Sequence, residues 1–186
     1  EIPRIALVDF NNDSVKDSLL VMQRMFARYR ELVDTGHETE AQRYQLFGVR
    51  LDTSSSIRDV SVTPMGQAEL DMGVNPRLVF IVRNAIDSAW EKWDLPVEWT
   101  VRAREWCTSV KIVVSGGFNT AKISRFEKLD VPVDIYAVGS SLFANDGPRV
   151  TDYTADIAQV KIDGVWRAMS KVGRSRGDNP DLEKVS

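Results

Sequence analysis

Hydrophobic positions along the chain fall into two kinds, short unbroken runs and longer stretches with helical spacing, and the two alternate. Ile5-Ala6-Leu7-Val8 is a short continuous run, which fits a parallel strand covered on both faces better than an edge strand with one wet face; it ends at Asp9. Val15, Leu19, Met22, Phe26, Tyr29 and Val33 then line one face of a long helix, with Asp13 or Ser14 as its N-cap. A charged stretch, 34–45, reads as a surface connection. Leu46 to Leu51 follows as a second buried strand ending at Asp52. Residues 53–73 are rich in Ser, Thr and Gly, and their one alternating stretch (Ile57, Val60, Val62) assigns them to no element. Asn75-Pro76 is an N-cap followed by proline at the first helical position, and Val79, Val82, Ile86, Ala89 and Trp93 continue that helix to just before Pro96. Lys111 to Val114 is a third strand, running into Ser115-Gly116-Gly117 and an amphipathic helix from about Asn119 with Ile123 and Phe126 inward. Val133 to Val138 is a fourth strand, ending at Gly139-Ser140-Ser141.

Repeated strand-helix alternation predicts a parallel sheet with right-handed crossovers, either open or closed into a barrel. The tail differs: from Ala155 to Trp166 the pattern alternates with period two around Asp163-Gly164, a hairpin signature. The expected organisation is an α/β domain over residues 1–150 and a β-hairpin segment over 151–186 belonging to a small antiparallel region. With 186 residues, 43% of them hydrophobic, there is material for one sizeable core rather than two. Because the chain enters its first strand after only a few residues, it is expected to be a segment of a longer chain.

Composition narrows the function classes. Balancing 24 basic against 27 acidic residues leaves a net charge of -3, which offers no broad attraction to nucleic acid or an anionic membrane. No apolar run approaches the roughly 20 residues that span a bilayer, and the N-terminus has no secretory pattern. The single cysteine, Cys107, excludes an internal disulfide framework. A cytoplasmic location is the expectation.

Parallel α/β folds bind ligands at the carboxyl ends of their strands, where loops converge and helix N-termini point at the site. The residues there are Asp9, then Arg50 and Asp52, then Ser115-Gly116-Gly117, then Gly139-Ser140-Ser141. Two adjacent strands ending in small residues leave backbone N–H groups open to a phosphate, although Gly-Gly and Gly-Ser are also ordinary turn dipeptides. Arg50 and Asp52 flank Leu51 and so share the face opposite to it; they suit a clamp for a phosphate and ribose hydroxyls, or a structural ion pair. Asp9 suits the same pocket or a helix cap. Lys171 and Arg174 of the tail are weaker anion-ligand candidates. His37, in a charged loop, reads as solvated, and Cys107 as a small buried hydrophobe rather than a nucleophile. Trp90, Trp93, Trp99 and Trp106 read as packing residues.

Taken together, Leu7-Val8-Asp9 before a long helix, Gly48-Val49-Arg50-Leu51-Asp52, Ile112 to Phe118, Asp134 to Leu142, and Tyr153-Thr154-Ala155-Asp156 with Ser170-Lys171-Val172-Gly173-Arg174 resemble the nicotinate phosphoribosyltransferase family in order and spacing. The resemblance runs over essentially the whole segment. It implies an irregular or partial (β/α) TIM-like barrel with a β-rich appendage, and an enzyme joining nicotinate to 5-phosphoribosyl 1-diphosphate with ATP hydrolysis and Mg2+, in NAD biosynthesis. By the same resemblance, Ser115, Gly116, Gly117, Gly139, Ser140 and Ser141 hold the 5-phosphate. Arg50, Asp52 and Asp9 line the ribose, diphosphate or base region, Lys171 contacts substrate, and a homodimer shares its sites. Many relatives follow Arg-x-Asp with Ser-Gly-Asp, where this chain has Thr53-Ser54-Ser55. The family's N-terminal domain, base-sandwiching aromatics and phosphorylated histidine lie outside this segment, which alone is expected to be inactive. Use of nicotinamide or quinolinate instead, or a noncatalytic phosphate- or nucleotide-binding module of the same fold, are the alternatives.

Overall fold

The computed structural model describes residues 2–139, 141 and 156–174. Its elements, in chain order, are β1 (Ile5–Leu7), α1 (Ser14–Asp34), α2 (Glu38–Ala41), β2 (Gly48–Leu51), α3 (Ala68–Asp71), α4 (Pro76–Asp87), α5 (Thr100–Ser109), β3 (Lys111–Val114), α6 (Thr120–Lys128), β4 (Ile135–Tyr136), β5 (Gln159–Ile162) and β6 (Val165–Ala168). Strands β1 to β4 form a parallel sheet in the order β1-β2-β3-β4, and β5 and β6 pair antiparallel. The α/β expectation with a small antiparallel appendage holds at this level. Among the described residues the four strands form an open sheet and do not close into a barrel. The expected boundary at residue 150, Ser140, and the start of the tail at Ala155 lie outside the described residues.

Register explains which side of the sheet is covered. Ala6 pairs with Val49, Val49 with Ile112, and Leu51 with Val114, so these side chains share one face. That face packs against Met22 and Phe26 of α1, Leu78, Val82 and Ile86 of α4, Ala103 and Trp106 of α5, and Phe126 of α6 in one continuous core. Leu7, Arg50, Val113 and Ile135 form the in-register row on the opposite face. A strand order in which each strand lies beside its predecessor, with right-handed crossovers, puts every crossover on one side, as seen here.

The helices start where their caps predict. Asp13 accepts from Lys16 N at 3.1 Å at the head of α1, Asn75 from Leu78 N at 3.0 Å at the head of α4, and Asn119 from Lys122 N at 2.9 Å at the head of α6. Phe26 anchors the helical layer: it stacks on Trp93 at 4.8 Å and meets the edges of Trp106 at 5.5 Å and Trp99 at 5.9 Å. The hairpin turn sits at Asp163 and Gly164, both at positive φ (50° and 80°), the pairing that a two-residue turn between antiparallel strands requires.

Four readings of the pattern are corrected. First, β1 is an edge strand among the described residues and is covered on one face, with Ile5 44% and Leu7 50% exposed while Ala6 and the following Val8 face the core. Second, α4 ends at Asp87, and Ala89 to Lys92 form a separate 3-10 turn in place of a continuous helix to Pro96. Third, Thr100–Ser109 is a helix, to which the pattern assigned nothing. Fourth, 34–45 is not only a connection, since it contains α2, whose Ala41 is buried beneath the charged surface. Residues 53–73, left unassigned by pattern, are ordered by buried carboxylates. Asp59 accepts from Ser14 N at 3.0 Å and from Ser61 N at 2.9 Å, tying this connection to the start of α1. Asp71 accepts from Met65 N and Gly66 N and pairs with Arg77 at 2.8 Å.

Candidate functional site at the strand ends

The open-face row continues beyond the strands. Val8 N donates to Arg50 O, Ser115 N to Leu51 O and Ala137 N to Val114 O, so the ladders run past the last strand residues. By alternation Asp9, Asp52 and Ser115 therefore project on the face opposite the helices, at the carboxyl edge of three neighbouring strands. Sequence patterns alone placed them at strand ends; the register places them side by side.

Asp52 and Ser115 form a closed network with Arg50. Ser115 Oγ donates to Asp52 Oδ1 at 2.7 Å and accepts from Arg50 Nε at 2.9 Å, while Arg50 Nη2 lies 3.5 Å from Asp52 Oδ2. Leu51 between them is fully buried on the other side, as the alternation requires. The ion pair is half-exposed, and the buried Ser115 hydroxyl sets its geometry. Since that hydroxyl proton is already committed, the anion ligands this turn can offer are the N–H groups of Gly116 and Gly117.

Both glycines have left-handed backbones, at φ 89° and 69°, which a residue with a Cβ adopts only at a cost of about 1–2 kcal/mol. A Cβ on Gly116 would sit 3.4 Å from Asp52 Oδ1; one on Gly117 would meet nothing within 4 Å. Neither N–H finds an acceptor among the described residues. The second turn lies against the first: Ser141 Oγ donates to Phe118 O at 3.0 Å, and a Cβ on Gly139 would meet open space. Ser140, between them, lies outside the described residues.

Asp9 and Lys171 complete the site. Asp9 is 1% exposed, and the Lys171 ammonium forms an ion pair with its Oδ2. Lys171 Nζ also donates to Asp52 O at 2.9 Å and stands 4.0 Å from Asp52 Oδ2. Val172 N donates to Phe10 O at 2.9 Å, anchoring the tail segment directly beyond the first strand end. Burial holds the Asp9 carboxyl above its ordinary range; Lys171 opposes that rise and the Asp52 charge adds to it. Asp9 Oδ1 has no hydrogen-bond partner among the described residues. Asp9 is thus a pocket residue, and the helix cap falls to Asp13.

Lys171, the weakest sequence candidate, is the most deeply engaged cation of the group. Its companion Arg174 pairs instead with Asp156 at 3.2 Å. The other side chains weighed in the sequence stand elsewhere: His37 is exposed beside Thr35, and Cys107 is buried with its thiol pushed up to about 12 by burial. Compared with known proteins, the chain matches no family model, no curated protein and no solved structure.

Chemically, the cluster sets two cations and two carboxylates around an open strand edge, beside the uncovered N–H groups of Gly116 and Gly117. Arg50 offers a planar fork to phosphate oxygens, Lys171 a point charge, and Asp52 an acceptor for hydroxyls. Among the described residues, no helix is long and apolar enough to cross a membrane.

Proposed function

We propose that the chain forms the phosphoribosyl-binding part of a nicotinate phosphoribosyltransferase, making nicotinate mononucleotide and diphosphate from nicotinate and 5-phosphoribosyl 1-diphosphate. The observation that carries this reading is the convergence of Asp9, Arg50, Asp52 and Lys171 with the Gly116-Gly117 turn at one sheet edge. In this reading the sheet is part of an irregular TIM-like barrel, whose interior is the face bearing the Leu7-Arg50-Val113-Ile135 row. The protein acts in the cytoplasm, as a homodimer with shared sites.

Displacement at the anomeric carbon passes through a cation-like sugar, so the protein must hold the phosphate, neutralise the leaving diphosphate and aim the base. Gly116 and Gly117 N–H groups, with the 139–141 turn, take the 5-phosphate. Arg50 and Lys171 face the diphosphate, and Asp52 holds ribose hydroxyls while Ser115 fixes the Arg50–Asp52 geometry. Asp9, buried under Lys171, sets the position of that ammonium. Magnesium is normally held through one or two carboxylates together with substrate phosphates, and the partly exposed Asp52 carboxylate fits that donor set. Bound there, it would add positive charge on the leaving diphosphate. ATP enters as a co-substrate whose hydrolysis is coupled to the reaction.

A product assay on the full-length protein, with nicotinate, nicotinamide and quinolinate supplied in turn with 5-phosphoribosyl 1-diphosphate, tests the reading. Nicotinate mononucleotide is the expected product, and no mononucleotide from any of the three would overturn it. Product from nicotinamide or quinolinate alone would keep the phosphoribosyl chemistry and change the base. Gly139→Asp, which introduces negative charge without a steric clash, should abolish 5-phosphoribosyl 1-diphosphate binding. A noncatalytic phosphate-binding module is the second reading, favoured by Thr53-Ser54-Ser55 in place of Ser-Gly-Asp: Thr53 is buried and carries no acid. That module would bind the diphosphate substrate and form no product.

A further inference from the structure

A cleft of about 390 Å3 opens between the 53–76 connection and α6, adjoining the strand-end site. Asp9, Arg50, Asp52, Ser115, Gly139 and Lys171 do not line it, while Gly116 does and so borders both this cleft and the strand-end site. Its cationic wall is Lys122 and Arg125, one helical turn apart on α6, and its other walls include Thr53, Met72, Asn75 and Glu69.

Lys122 is the unusual member. Its ammonium donates to Gly116 O at 3.1 Å and lies 4.1 Å from the centre of the Phe118 ring, and neither it nor Arg125 has a carboxylate partner among the described residues. Burial lowers the Lys122 pKa, and nothing opposes that shift. A half-buried lysine that keeps no acid beside it, in the wall of a cleft, is a charge awaiting an anion. Two further features point the same way. The cleft includes the N-terminal residues of both α4 and α6, Asn75-Pro76 and Asn119, where helix dipoles favour negative charge. Thr53, 3% exposed in the same wall, has an Oγ1 with no hydrogen-bond partner. Glu69 is exposed, and two cations outnumber it. Met72, Val74 and Phe126 supply an apolar side suited to the organic part of a ligand.

We propose that this cleft is a second anion site, taking a small phosphomonoester with its phosphate between Lys122, Arg125 and the start of α6. It stands independently of the transferase reading. Because Lys122 donates to Gly116 O, and Gly116 follows Ser115, whose hydroxyl donates to Asp52 Oδ1, an anion that draws Lys122 away releases the turn shared with the strand-end site. Binding in the cleft therefore has a route to that site through Gly116.

Amide spectra of the nitrogen-labelled chain, titrated with inorganic phosphate against chloride of matched ionic strength, test the site. The titration is made in the Gly139→Asp background to suppress phosphate at the strand ends. Phosphate, and not chloride, should shift the amides of Thr53, Asn75 and Ala121. Lys122→Gln with Arg125→Gln should raise the phosphate Kd by about tenfold or more, the scale of a lost charge-assisted contact. Arg125→Gln alone, at an exposed position that cannot disturb the core, should raise it by about threefold. Equal shifts with chloride, or a Kd within twofold of the parent in the substituted chains, would overturn the proposal. A Gly139→Asp chain that keeps the cleft shifts separates this site from the strand-end cradle, whatever becomes of the transferase reading.

Discussion

Lys171 sets its ammonium against the buried carboxylate of Asp9, across more than 160 residues of sequence, and so ties the tail segment to the end of the first strand. Burial alone would raise the Asp9 pKa above its ordinary value of 3.8, and it does so in spite of Lys171. The folded chain therefore binds this proton more tightly than the unfolded chain. Its contribution to stability is complete below 3.8 and is lost as pH rises through the raised folded value. Lys171→Met removes the group that restrains that rise, so the loss at neutral pH deepens, by about 3 kcal/mol for an unpaired buried charge. Urea unfolding should show the variant far weaker than the parent at neutral pH and closer to it near pH 4. Asp9→Asn combined with Lys171→Met should recover most of the difference at neutral pH; equal losses at both pH values would show that the pair is not what holds the tail.

Ser115→Ala tests the network on the neighbouring strands. The hydroxyl is both donor to Asp52 and acceptor for Arg50, and the residue is 4% exposed. Its removal leaves Asp52 Oδ1 short of a donor and frees Arg50 to swing, at a cost of about 1–2 kcal/mol. In the transferase reading, affinity for 5-phosphoribosyl 1-diphosphate should fall more than stability does, because Arg50 works only when oriented. Calorimetric titration with this ligand beside a urea curve separates the two effects.

The parts of the fold that sequence patterns revealed are those set by local rules. Asn75-Pro76, Asn119 and Asp163-Gly164 each mark an element boundary through a side chain or backbone angle within a few residues, and all three stand where the pattern put them. The strand-end residues were legible for the same reason, since alternation around Leu51 is local. Long-range facts were not. Whether Ile5 to Val8 lies at an edge depends on how many strands surround it, which the run itself does not encode. The 53–73 connection is held by Asp59 reaching Ser14, 45 positions away, and Lys171 reaches Asp52 over 119 positions, so neither pairing has a local signature. For Thr100–Ser109 a signal existed: Ala103, Trp106 and Cys107, with Val110 just past the helix end, recur at helical spacing and are all buried. Exposed Val101, at 68%, obscured it.

Phe26→Ala should be among the most damaging single changes in the helical layer. The ring is 2% exposed and contacts Tyr29, Trp93, Trp99 and Trp106, so truncation removes its own burial and leaves a cavity among four aromatic neighbours. The expected cost is about 3–5 kcal/mol. Tryptophan emission should shift to the red in the folded variant as water reaches Trp93 and Trp106, and the urea midpoint should fall at an unchanged slope.

Cys107 offers a test of the core that needs no substitution. It sits on α5 against the α4 side of the helical layer, fully buried, with its thiol pushed up to about 12 by burial, slightly opposed by a hydrogen bond to the Trp90 backbone. The reactive species is the thiolate, so at pH 8 the folded chain holds about a thousandfold less of it than an ordinary exposed cysteine, before any steric exclusion is counted. The native protein should therefore leave a disulfide reagent such as dithionitrobenzoate unreacted at pH 8 over the time in which the guanidinium-unfolded chain releases one equivalent. Raising the pH alone should restore little of the reaction until the fold itself is lost, because burial between α4 and α5 keeps the reagent from the sulfur as well as raising its pKa. Prompt labelling of the native chain would mean that α5 opens readily from the core, and the Phe26 cluster would then be far less rigid than its aromatic contacts imply.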